Sequence, residues 1–166
     1  MENRVTMLQS KKSQLLFIVF LLLLLIQTPL LLATEPPSLT KGQTVYVPAY
    51  SHIYHGNKDT PLLLSVTLSI RNIDPKSSLT VTAVNYHETD GPLVKEYVKK
   101  PVVLGPLGSE RFVVPQKDNT GGSGANFIVE WHSNKPINPP IIETVMIGTQ
   151  SQLGISFTSR GQAVGQ

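Results

Sequence analysis

The stretch Tyr50-Ser51-His52-Ile53-Tyr54-His55 places two tyrosines and two of the chain's four histidines within six residues. Phenol and imidazole rings bury much area at low entropic cost and keep a polar tip, so such a run suits contact with a sugar, a peptide or a partner surface. If the chain stays extended, Tyr46, Tyr50, His52 and Tyr54 share one face, because strand side chains alternate. Tyr50, His52, Tyr54 and His55 are therefore the candidate binding residues. The competing use of these rings is to cap one end of a core with hydroxyls in water, and Pro48 already marks an edge strand.

The other chemistry-bearing residues fit bland uses better. His52 and His55 with Asp59, His87 or Glu130 would make a normal imidazole and carboxylate ligand set. A spacing of three, however, puts two strand side chains on opposite sides, and no metal or other cofactor is expected. Ser123, in Gly121-Gly122-Ser123-Gly124-Ala125, lies one residue out of the G-x-S-x-G hydrolase pattern. That elbow needs a strand before the serine and a helix after it, whereas a charged loop precedes this serine and a strand signal comes after it. The same glycines lack the pattern and the helix of a phosphate cradle. A β-connection that needs positive φ accounts for them. Glu130 and Glu143 fall on the opposite side of their strands from Val129, Trp131 and Ile142, which makes them solvent-facing carboxylates rather than an acid and base across a cleft. Trp131 reads as a core anchor. No catalytic residue is expected.

The whole chain has 166 residues, no cysteine and a net charge of +3. One domain is expected from the length. Disulfides, thiolate metal sites, a cysteine nucleophile and a lipidated cysteine are all excluded. Arg4, Lys11 and Lys12 against Glu2 contribute +2 before the apolar run, so the rest carries only about +1 and is no nucleic-acid binder.

Leu15 to Ile26 has no polar side chain and comes after a polar, cationic start, the layout of a secretory signal. Leu15 to Ala33 is also long enough, at roughly 28 Å as a helix, to span a bilayer. Cleavage and retention both export the chain beyond Ala33. Thr34 to Gly42, with two prolines, reads as a linker. Strand signals then recur: Thr44 to Tyr50, Leu62 to Ile70 with Leu62, Leu64, Val66, Leu68 and Ile70 on one face, Leu79 to His87, a tight turn at Thr89 to Pro92 into Leu93 to Val98, Glu110 to Val114, Ala125 to His132, Ile141 to Ile147 and Leu153 to Thr158. No amphipathic helix is expected after residue 34. The expected fold is all-β, a single antiparallel β-sandwich of about eight or nine strands spanning 43–166, behind a signal or anchor helix at 1–33 and a linker at 34–42.

The blocks Tyr46 to Gly56, Ser69 to Pro75, Gly121 to Trp131, Asn138 to Gly148 and Gly154 to Gly161 together resemble a bacterial family, domain of unknown function 3124, over nearly all of residues 40 to 165. The resemblance implies an exported or membrane-tethered protein. Members are often held by a lipid-modified cysteine, which this chain lacks, so a peptide anchor or a free periplasmic state takes its place. It implies no catalytic residue. More remotely, the strand order resembles the small β-sandwich transducer of microbial sensory rhodopsins, a likeness of fold. The leading expectation is a non-enzymatic binding or interaction module, periplasmic or anchored in the inner membrane and facing the periplasm. Its partners would be the membrane, through the N-terminal segment, and a protein or small ligand. The rivals are a metal-dependent or acid/base enzyme using His52, His55 and His87 with a carboxylate, and a structural subunit that assembles through its sheet edges.

Overall fold

Strict alternation shapes this chain. Leu64, Val66, Leu68 and Ile70 are fully buried with Thr67 half-buried between them, so their segment must lie with one face on a core. The same rule operates at Val45 and Val47, at Val129 and Trp131, and at Ile142 and Met146. A computed structural model describes Phe20 and residues 38–56, 59–149 and 154–165. Among these residues no helix is long and apolar enough to cross a membrane. The expected signal or anchor at 1–33 lies outside the described residues apart from Phe20, as does the first part of the expected linker.

Within the compact unit Pro37–Gln166, twelve strands succeed one another among the described residues: β1 (Thr40–Pro48), β2 (His52–His55), β3 (Thr60–Leu63), β4 (Ser65–Arg71), β5 (Leu79–His87), β6 (Leu93–Glu96), β7 (Val102–Leu104), β8 (Ser109–Val114), β9 (Asn126–Ile137), β10 (Ile141–Gly148), β11 (Ile155–Arg160) and β12 (Gln162–Gly165). They form three antiparallel sheets. One has the order β12-β1-β9-β5-β6, with β7 also paired to β5; a second runs β11-β10-β4-β8; β2 and β3 make a separate hairpin. Val45, Val47, Val81, Val84, Phe127, Val129 and Trp131 from the first sheet and Val66, Leu68, Ile70, Val114, Ile142 and Met146 from the second belong to one buried apolar cluster. Thr144, also fully buried, donates its hydroxyl to Pro48 O at 2.6 Å and so ties β10 to the end of β1.

Expectation and structure part at several boundaries. Leu62 to Ile70 is not one strand. β3 pairs with β2 and β4 pairs with β8 and β10, and the break falls at Leu64, whose N–H donates to Ser51 O at 2.9 Å. β1 begins at Thr40, so Thr40–Gly42 of the expected linker is strand. Gly42 is required there, because a Cβ would sit 2.7 Å from Trp131 O where β1 bulges against β9. β9 continues past His132 to Ile137 and carries Pro136 in a stretch where β5 no longer pairs with it, so the missing N–H breaks no ladder. The short strands β2, β7 and β12 are additions to the expected set.

Candidate functional site

The run of rings from Tyr46 to His55 is divided by the backbone. β1 ends at Pro48 and β2 begins at His52, with Ala49 and Ser51 both fully buried in between. Tyr46 stays on β1, paired with Ile128 of β9 and Gln162 of β12. Tyr50 is half-buried and meets Phe157 of β11 edge to face, ring centres 5.7 Å apart, which makes it a packing residue. The expected single face of Tyr46, Tyr50, His52 and Tyr54 is therefore not formed, because the chain leaves the first sheet after Pro48 and turns into a hairpin. His52 and Tyr54 do come together: their rings cross at 85° with centres 5.2 Å apart, and His52 Nε2 lies 3.3 Å from Tyr54 Oη. Tyr54 is 54% exposed and His55 is exposed as well. His52 is half-buried, and its Nδ1 is shielded from water without a hydrogen-bond partner among the described residues.

The base of this hairpin is fixed by residues that say little in the sequence. Ser51 N and Ser51 Oγ both donate to Gly122 O, at 3.1 and 3.0 Å, while Ala49 N donates to Ala125 O at 2.8 Å. Gly122 has a φ of 79°, a left-handed conformation that favours glycine. Thr89, in the β5–β6 turn, donates through both N and Oγ1 to Gly121 O and accepts Gly124 N, which pins the glycine loop from its other side. Gly121 lies against Tyr86, and any Cβ there would collide with the phenol ring. Tyr86 is almost fully buried beside Phe127, ring centres 4.9 Å apart. Among the described residues its hydroxyl has no hydrogen-bond partner. Burial pushes the phenol pKa up to about 12, and Ser51 offsets only part of that rise.

A second polar cluster occupies the corner after β4. Asn72, 2% exposed, shares its Nδ2 hydrogens among Ser77 O, Gly105 O and Leu104 O at 2.8, 2.8 and 3.2 Å, and its Oδ1 accepts Asp74 N. Asp74 Oδ1 accepts Lys76 N and Ser77 N, and Oδ2 accepts Asn138 N at 3.4 Å. The Lys76 N–H holds the Asp74 carboxyl below its usual range against the opposing effect of burial, aided by Ser77 and Asn138. The turn Gly105–Gly108 folds onto the same corner: Asn72 N donates to Gly108 O and Leu107 N to Asp74 O. By sequence, Asn72 to Pro75 reads as a turn only. The cue to more is an Asn and an Asp two apart at the end of a fully apolar strand face, since both side chains bond readily to nearby backbone.

The remaining candidates lie apart. His87, on β5, has Nδ1 2.8 Å from Gly91 O in its own turn. Among the described residues no group of three or more His, Asp or Glu side chains comes together, so His52, His55 and His87 do not converge with a carboxylate. Glu130 is exposed, and Glu143 lies at the loose distance of 4.0 Å from Arg160. Ser123 is succeeded by β9, without the helix that an elbow serine requires. Trp131 is buried, its Nε1 lacking a partner among the described residues. An open depression of about 470 Å³ lies around Lys41, Gln43, Thr44, Thr82 and Glu130, where β1 and β5 both bulge against β9. None of the expected binding residues borders it.

The sequence blocks that make this chain resemble others meet at these two polar knots. Tyr46 to Gly56 meets Gly121 to Trp131 at Ser51 and Gly122, and Ser69 to Pro75 meets Asn138 to Gly148 at Asp74 and Asn138. A search of curated proteins finds no match. A solved structure described as the crystal structure of Thermotoga maritima 1070 is similar over 74% of this chain and 93% of that one, with 14% identity and a TM-score of 0.43, too distant a likeness to bear on fold or function. A family described as "Protein of unknown function (DUF3124)" matches residues 42–164, nearly the whole β unit. The chain belongs to the DUF3124 family.

Proposed function

We propose that this protein is a non-enzymatic binding module, in which the two larger sheets close as a β-sandwich and the β2–β3 hairpin is presented to a partner outside the cytoplasm. The observation that carries the reading is the division of labour in the hairpin. Tyr54 and His55 are exposed on β2, a strand that belongs to neither larger sheet, while buried Ser51 fixes their base. Exposed side chains on a fixed platform lose little freedom when they bind, and an aromatic ring supplies area and a polar tip together. The apolar run Leu15 to Ala33 behind a cationic start supports delivery to the periplasm, free or anchored in the inner membrane.

The test is photo-cross-linking in living cells, with benzoylphenylalanine at Tyr54 of the full chain and, as a control, at Val103, which is exposed on β7. A discrete adduct from position 54 and none from position 103 is the expected result. No adduct from position 54, or the same adducts from both, would overturn the reading.

A further inference from the structure

All three arginines after residue 36, Arg71, Arg111 and Arg160, lie on strands of the four-stranded sheet, and none of the chain's lysines falls on those strands. Alternation gathers them on one face. Val66, Leu68, Ile70, Val114, Ile142 and Met146 take the inner side, which leaves the outer side to Thr67, Ser69, Arg71, Arg111, Glu143 and Arg160. Register then sets neighbours. Ser69 faces Arg111 on one side and Glu143 on the other, Glu143 faces Arg160, and Arg71 faces Ser109. Arg71 and Arg111 are thus diagonal neighbours across β4 and β8, with side chains rooted about 7 Å apart.

A depression of about 270 Å³ lies here, lined by Thr67, Ser69 and Ser109 with Arg71, Arg111 and Glu110 around it. Arg71 Nε donates to Ser69 Oγ at 3.1 Å, which orients the guanidinium and leaves its two NH2 groups for other acceptors. Glu110 is turned to the backbone, Oε1 accepting Arg111 N at 2.9 Å, and Glu143 faces Arg160. Among the described residues no carboxylate forms an ion pair with Arg71 or Arg111. We infer that this depression is a site for a phosphate-type oxyanion, gripped by the Arg71 and Arg111 forks and by the hydroxyls of Thr67, Ser69 and Ser109. A guanidinium matches two oxygens of such an anion at once and sheds water more readily than an ammonium, which explains arginine without lysine on these strands. The site is independent of the hairpin and of the function proposed for it.

The phosphate could belong to a soluble ester or to a phospholipid headgroup, and one experiment separates them. The full chain in neutral-detergent micelles, with arginine labelled by ¹⁵N, is titrated with inorganic phosphate and, separately, with phosphatidylglycerol mixed into the micelles. Saturable movement of the Arg71 and Arg111 Nε–H signals is expected in at least one series; the phosphate series would indicate a soluble ligand, and the lipid series alone a headgroup. Arg111→Gln should weaken the Arg71 response about tenfold, and Arg111→Lys, which keeps the charge but loses the fork, should weaken it measurably. No saturation in either series, an Arg71 response untouched by both substitutions, or equal weakening by Lys99→Gln would overturn the inference.

Discussion

The β2–β3 hairpin and the Asn72–Ser77 corner are both built from polar residues beside apolar strands, yet they use them in opposite ways. At the hairpin Tyr54 and His55 stand in solvent, while His52 is half-buried and Ser51 reaches inward at the base. At the corner the side chains are inside, and Asn72 and Asp74 between them bond to seven backbone groups of residues 74, 76, 77, 104, 105 and 138. A buried polar side chain costs free energy unless every partner is in place, so the corner is committed to the fold. An exposed ring carries no such obligation and is available for recognition.

The comparison breaks most easily at Asn72. Asn72→Ala would orphan three carbonyls and one N–H in a closed corner, and a loss of about 3–5 kcal/mol is expected from urea unfolding. A loss below about 1 kcal/mol would mean that water replaces the amide and that the corner is not the commitment described.

Titration probes both regions with smaller effect. Because the folded Asp74 carboxyl lies below its usual range, it stabilises the protein above the unfolded carboxylate range and that contribution is lost as pH falls through the folded value. Asp74→Asn should therefore flatten the acid limb of stability against pH. Tyr86 has the opposite sense: its phenol is raised in the fold to about 12, so its contribution is complete below about pH 10 and is lost as pH rises toward 12. Tyr86→Phe should remove that alkaline loss, and melting temperature across the pH range checks both.

Gly121→Ala tests the floor of the hairpin. The added methyl meets the Tyr86 ring, and a destabilisation of about 1–3 kcal/mol is expected, the range for overpacking a closed site. Leu107→Gly has the opposite sign. Leu107 holds a φ of 57° after Pro106 in the turn Gly105–Gly108 and is 71% exposed, so glycine relieves the left-handed conformation at little cost in burial. A gain of up to about 1 kcal/mol in chemical unfolding is expected.

The strands are legible in sequence where one face alternates cleanly. β5 matches its expected bounds of Leu79 and His87, and the Thr89–Pro92 turn lies between β5 and β6, with Gly91 at a φ of 100°. The break at Ala49–Ser51 is hidden because burial keeps its period of two through Val45, Val47, Ala49 and Ser51. Alternation reports which side faces the core and not which neighbour a strand pairs with. β2, β7 and β12 escape because they are too short to show a period: β7 offers only Val102 and Leu104 to the core with Val103 exposed between them, and all of β12 is exposed. Of the expected binding residues, Tyr54 and His55 are exposed, as their polar-tipped types suggest. The half-burial of Tyr50 is not legible, since it depends on Phe157, more than 100 residues away.

The most direct test of the binding reading removes the exposed rings and leaves everything beneath them. The full chain carrying Tyr54→Ser and His55→Ala is solubilised from membranes beside the wild type, and co-purifying partners and thermal unfolding are measured on the same samples. The account predicts that a partner found with the wild type is lost while stability changes by less than about 0.5 kcal/mol, as for surface substitutions. A partner retained by the double variant, or lost only together with the fold, would contradict it.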